Sequence, residues 1–133
     1  MCRYSDYIVR ELTMTVRTQK KDEDKATTTV RTVRHFHYLQ WKDFNAPEHA
    51  PGMLKFIKRI NEVHFKQSSG NSSNSSLPPI VVHCSAGVGR SGTLIAIDSL
   101  SQELQDDGQV SIYKLVLELR HSRNYLVQSV VSL

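Results

Sequence analysis

Only two cysteines, Cys2 and Cys84, stand in 133 residues, too few for a disulfide framework. Metal-ligand spacing is missing as well, since no CxxC or HxxxH pair accompanies Cys84 although six histidines are present. No run approaches the ~20 apolar residues of a membrane-crossing helix, and Met1 to Glu11 carries Asp6, Arg10 and Glu11, so neither a transmembrane segment nor a signal peptide is expected. Nor does one sign of charge dominate. Seventeen basic residues against thirteen acidic leave a net charge of +4, which permits an anionic ligand without calling for nucleic acid. A hydrophobic content of 39% suits one cytoplasmic domain with one core.

What is present has the periodicities of an α/β chain. "YIVRELTMTV" (Tyr7 to Val16) is rich in β-branched residues with a rough polar/apolar alternation and is predicted as a strand. After the polar "RTQKKDEDKATTT", a second strand is predicted over Val30 to Gln40, with Val33, His35, His37 and Leu39 on one face and Arg34, Phe36 and Tyr38 on the other. The two should form an antiparallel hairpin. From Met53, the positions Phe56, Ile57, Ile60 and Val63 repeat every three to four residues, which predicts an amphipathic helix from about Ala50 to about Gln67. The Ser/Asn-rich stretch 68–79 cannot bury apolar area and is expected to be a mobile loop; its two NSS triplets read as polar linker rather than as glycosylation sites. "IVVH" (Ile80 to His83) reads as a short buried strand. Ser91 to about Gln105 reads as a helix with Leu94, Ile97, Leu100 and Leu104 inward, and Ser111 to His121 as a helix capped by Ser111, burying Ile112, Leu115, Val116 and Leu119.

Cys84 therefore lies between a strand and a helix N-terminus, within "PIVVHCSAGVGRSGT". A loop in that position points free backbone N–H groups into one concave space, an anion site favoured by the helix dipole. Gly87 and Gly89 let the backbone curl, and Ser85, Ala86 and Val88 complete the turn around a tetrahedral oxyanion. Arg90 adds a planar fork able to grip two oxygens, which a lysine does less specifically. The same surroundings should lower the Cys84 pKa below the ~8.5 of a free thiol, making it a thiolate nucleophile aimed at phosphorus. His83 and Ser91 flank it as orienter and hydroxyl donor. A lone cysteine after "IVV" would otherwise read as a small buried hydrophobe. A nucleotide P-loop is excluded because Thr93 follows Gly92 directly, with no lysine between.

The run His83-Cys84-Ser85-Ala86-Gly87-Val88-Gly89-Arg90-Ser91-Gly92-Thr93 resembles the active-site loop of the phosphotyrosine-specific protein tyrosine phosphatases. "YIVRELTMT", "HFHYLQW" and "LRHSRNYLVQS" extend the resemblance over most of the chain, to the C-terminal half of that catalytic domain, and "RNYLVQ" leans toward its receptor-type branch. The resemblance implies a partial protein tyrosine phosphatase fold over residues 1–133: a mixed twisted sheet flanked by helices, with the phosphate-binding loop between a buried strand and a helix N-terminus. It implies Cys84 as nucleophile, Arg90 as phosphate clamp, Asp43 as general acid and then base, Ser91 as an aid to thiolate departure and Gln128 as positioner of the hydrolytic water. Phosphotyrosine-containing proteins would be the partners. Neither a cofactor, nor nucleic acid, nor membrane contact within the chain is implied.

The departures from the family pattern are specific. Lys42 stands where the family has a proline between tryptophan and aspartate, Asn45 where it has glycine, and Ser132 where a second glutamine is usual. The family's N-terminal half has no counterpart before Met1. Two functions of different class follow: a hydrolase, or a phosphotyrosine-binding module that keeps Cys84's cradle and Arg90 but lacks a well-aimed Asp43.

Overall fold

Alternating β-branched and polar residues favour a pleated ladder, and the computed structural model, which describes residues 1–18, 27–41, 50–68 and 78–128, contains one. Strand β2 (Tyr7–Thr18) pairs antiparallel with β3 (Thr27–Tyr38), from Tyr7↔Tyr38 to Thr18↔Thr27. The short β1 (Cys2–Arg3) adds to the other side of β2 through Cys2↔Val9 and Arg3↔Ile8. The base of the hairpin is closed by Leu39 N–H donating to the Asp6 carbonyl at 2.8 Å and by a stacked Tyr4–Tyr7 pair with centroids 4.5 Å apart. Across the strands Arg34 and Glu11 form an exposed ion pair at 3.3 Å, of a kind worth little in water. These residues make one compact unit, Met1–Leu39.

The second unit, Gln40–Leu133, is helical among its described residues. Helix α1 (Ala50–Ser68) buries Met53, Phe56 and Ile57, with Ile60 and Val63 half-buried, as the three-to-four spacing requires. Asn61 Nδ2 donates to Asp98 Oδ1 at 2.7 Å, tying α1 to α2 (Gly89–Asp107). Helix α2 ends at Gly108, whose φ of 69° is the left-handed conformation and whose N–H caps the Leu104 carbonyl. Helix α3 (Ile112–Ser122) follows, and Ala96, Val116 and Val127 form a buried cluster with Leu115 and Leu119 packed around it. Among the described residues no helix is long and apolar enough to cross a membrane.

The α/β class stands, with three corrections of detail. The expected buried strand at 80–83 has no regular secondary structure, with Ile80 43% and Val81 84% exposed. It pairs with no strand among the described residues, and the described sheet is antiparallel throughout. On α2 the buried positions are Ser91, Gly92, Thr93 and Ala96, whereas Leu104 is exposed. At Gly92 this helix meets the Leu126–Val127 backbone, and a small residue allows that approach. Ser111 sits at the N-cap of α3 without a side-chain capping bond, and Ile112 is exposed. The calls on the polar turn at 19–26, on 69–77 of the Ser/Asn-rich stretch, and on Lys42, Asp43 and Asn45 lie outside the described residues.

Gly92 marks the tightest approach. A Cβ there would lie 2.5 Å from the Val127 amide nitrogen and 3.0 Å from Leu126 Cδ2. Gly92→Ala should therefore destabilise the chain by about 1–3 kcal/mol, the usual range for overpacking. Urea or thermal unfolding measures it, and an unchanged midpoint would mean that the Leu126–Val127 backbone yields without cost.

Candidate active site

The segment ending at His83 delivers Cys84 to a bend over residues 85–88, and α2 starts at Gly89. Gly87 has φ 69°, a conformation that a Cβ disfavours, and it reverses the chain so that its own N–H donates to Cys84 Sγ at 3.2 Å. No side chain caps the start of α2. The Gly87 amide is thus turned onto the sulfur, although the segment before Cys84 is not a strand.

The thiol pKa is set by opposing influences. Partial burial pushes it up, but the Ser91 hydroxyl, then the backbone amides of Ser91, Gly87 and Val88, more than offset this, and the result lies below the ordinary thiol value. Ser91 is 4% exposed, and its hydroxyl makes no hydrogen bond of ordinary geometry. It acts on the sulfur as a nearby oriented dipole. The acidifying influences are loop donors held in place by the fold.

Arg90 reaches over this loop from the first turn of α2. Its Nη1 donates to the Trp41 carbonyl at 3.4 Å and its Nη2 to Ser85 Oγ at 3.5 Å. Trp41, two residues before Asp43, is thereby brought to the rim of the loop. Gln128 arrives from the opposite end of the chain: a Cβ built on Gly89 would be 3.6 Å from Gln128 Oε1. His83 is exposed directly before the cysteine, Ser85 and Ala86 are exposed, and Gly87, Val88 and Gly89 are half-buried. Of the sequence-predicted site residues, Cys84, Ser85, Ala86, Gly87, Val88, Gly89, Arg90, Ser91 and Gln128 are brought together. Asp43 lies outside the described residues.

Gln128 reaches the loop through a strained turn. Tyr125 (φ 65°) and Val127 (φ 56°) both adopt the left-handed conformation, which is uncommon for non-glycine residues, least favoured by β-branched ones such as valine, and at a cost of order 1–3 kcal/mol persists only where neighbours enforce it. They do: Val127 N–H donates to the Val88 carbonyl at 3.0 Å, while Arg120 Nε and Nη2 donate to the Leu126 and Val127 carbonyls, each at 3.0 Å. Arg123 does the same for the bend after Cys84, with Nε on the Gly87 carbonyl at 3.1 Å and Nη2 on that of Ala86 at 3.3 Å.

Neither arginine is a site residue by sequence reasoning. The one available signal is basic character near the end of a helix, which the dipole favours anywhere; nothing local tells that Arg123 meets carbonyls 36 and 37 positions away.

Comparison with known proteins agrees with this geometry. The sequence model of the Protein-tyrosine phosphatase family matches residues 2–132. The chain is 48% identical over 124 residues to Tyrosine-protein phosphatase 69D of Drosophila melanogaster, covering 93% of this chain and 8% of that protein. It is 37% identical over 123 residues to Receptor-type tyrosine-protein phosphatase zeta of Rattus norvegicus, covering 92% and 5% respectively. With Tyrosine-protein phosphatase 99A of Drosophila melanogaster the identity is 36% over 125 residues, covering 94% and 9%. The chain thus spans less than a tenth of the length of these curated relatives. It belongs to the protein-tyrosine phosphatase family.

The lowered thiol pKa fixes a pH window. Above it Cys84 is a thiolate, and reactivity is lost as the pH falls through it; Cys2, a free and exposed thiol, serves as the internal standard. Iodoacetamide should therefore alkylate Cys84 faster than Cys2 at pH 6–7, roughly the interval below a free thiol's ~8.5. Ser91→Ala should move the Cys84 midpoint upward. Equal rates at the two cysteines across this interval would remove the thiolate assignment.

Proposed function

We propose that the chain carries the nucleophile-bearing part of a phosphatase that hydrolyses phosphotyrosine in proteins through a cysteinyl-phosphate intermediate. The observation that carries this reading is Cys84 Sγ accepting the Gly87 N–H at 3.2 Å, inside a bend of small residues. Donors that stabilise a thiolate there are suited to a phosphoryl group seated over the sulfur. The Cys84 thiolate attacks phosphorus, forming an S–P bond as the P–O bond to tyrosine breaks. The phenolate oxygen takes a proton from the Asp43 carboxyl. Water positioned by Gln128 then attacks phosphorus, Asp43 takes its proton, and the S–P bond breaks to return the thiolate and release phosphate. Ser91, beneath the sulfur, aids its departure, and His83 orients the cysteine.

Ser85, Ala86, Gly87, Val88 and Gly89 would supply amides to the equatorial oxygens, with Arg90 as the bidentate clamp. Its guanidinium, held by the Trp41 carbonyl and Ser85 Oγ, needs only a short swing to do so. A free thiol required in its reduced form fits the reducing cytosol, where phosphotyrosine proteins would be the partners. We assign residues 1–133 to one partial catalytic domain.

A phosphotyrosine-binding module without turnover is the second reading, favoured by Lys42, which replaces a residue of fixed φ at the start of the Asp43 segment. Release of phosphate from a phosphotyrosine peptide, measured beside binding of the same peptide, separates the two. Turnover abolished by Cys84→Ser supports the enzyme; binding with no phosphate release in the parent chain supports the module.

Two further variants test individual roles. Asp43→Ala should slow phosphotyrosine hydrolysis by roughly 10²–10⁴-fold, the span of general acid catalysis, and slow an aryl phosphate with an acidic leaving group far less. Equal losses on both substrates would take Asp43 out of the acid role. Arg90→Lys keeps the charge but loses the fork, so kcat should fall more than KM rises. Retention of most of the parental kcat would show that a point charge suffices.

A further inference from the structure

The loop around Cys84 depends on which way two peptide units face. A trans peptide directs its C=O and the following N–H to opposite sides of one plane, and there are no cis peptide bonds among the described residues. The unit joining Ala86 to Gly87 therefore presents either its carbonyl or the Gly87 amide to the sulfur. The unit joining Gly87 to Val88 makes the same choice for the Val88 amide. Gly87 is the least restrained point in this bend, since glycine populates positive and negative φ with comparable ease. Rotation about it would turn carbonyl oxygens toward Cys84 and repel a thiolate.

Arg123 occupies the other side of both units. Its Nε donates to the Gly87 carbonyl at 3.1 Å and its Nη2 to the Ala86 carbonyl at 3.3 Å. We propose that Arg123 is a positioning residue for the phosphate-binding loop: its planar fork holds these two adjacent carbonyls outward, so that the amides of Gly87 and Val88 face the Cys84 sulfur. The Gly87 N–H does so at 3.2 Å, and both amides are among the donors that acidify the thiol. The fork matters because Nε and Nη2 are fixed in one plane, whereas a lysine ammonium is a single point. Arg123 is itself anchored, its N–H donating to the Leu119 carbonyl at 3.0 Å at the end of α3. The loop is thereby braced against a helix terminus.

For its consequence in catalysis this role rests on the phosphatase reading, but its test does not. Arg123→Lys and Arg123→Gln are made in the 133-residue chain carrying Cys2→Ser, and alkylation of the remaining thiol is followed against pH, with thermal melting alongside. Both variants should raise the midpoint of the profile, lowering the rate below the parent's midpoint roughly three- to tenfold, as a rise of half to one pH unit requires. The guanidinium is exposed, so the lysine variant is expected to melt as the parent does and decides the matter if the glutamine variant unfolds. An unmoved profile in the lysine variant overturns the proposal. So does full recovery by lysine with loss in glutamine, which would show a charge effect in place of carbonyl alignment. A shifted profile in a chain whose parent releases no phosphate upholds the positioning role while the phosphatase reading falls; robust turnover with unmoved profiles does the reverse.

Discussion

The backbone of Val127 presses against α2 at the one place where Gly92 leaves room, and its amide donates to the Val88 carbonyl at 3.0 Å. Remove that approach and several features lose their reason. Val127 holds a left-handed conformation that its branched side chain disfavours. Its side chain is 2% exposed and completes the cluster with Ala96 and Val116, so burial offsets the local strain. The residue that follows is Gln128, laid against Gly89 by the same turn. One tight contact thus joins the small-residue face of α2, the core and the rim of the Cys84 loop.

The electrostatics of the site follow from this rigidity. A thiol can be acidified by a neighbouring cation or by oriented donors, and here the hydroxyl of Ser91 and the amides of Ser91, Gly87 and Val88 outweigh the cost of partial burial. Donors fixed by the fold need no reorganisation when charge moves from sulfur to phosphoryl oxygens. Arg90 donates to two neutral acceptors, the Trp41 carbonyl and Ser85 Oγ.

Local signals carried much of the fold. Alternation placed β2 and β3 and their antiparallel pairing, since a period of two is written residue by residue. Three-to-four spacing placed α1 and its buried face at Phe56 and Ile57, and helices over the right parts of 89–107 and 112–122. The same reasoning failed where a neighbour decides the outcome. Ile80 and Val81 have strand composition but no ladder partner among the described residues. Leu104 has helical spacing but is exposed, and α2 instead buries Gly92 where the Leu126–Val127 backbone approaches.

At the site, the sequence by itself determined which residues gather: a cysteine and an arginine six positions apart, separated by small residues, fold into a short bend that turns backbone N–H back toward the sulfur. The identity of the gathered residues in the loop was legible for that reason. Tertiary structure alone decided what surrounds it. That Arg123 braces the carbonyls of Ala86 and Gly87, that Arg120 holds those of Leu126 and Val127, and that Gln128 reaches Gly89 depend on how α3 and the turn after it lie against α2. An arginine near a helix end is favourable by itself and leaves no trace of its partner. Separations of 36 and 37 residues are closed by packing, which no local period encodes.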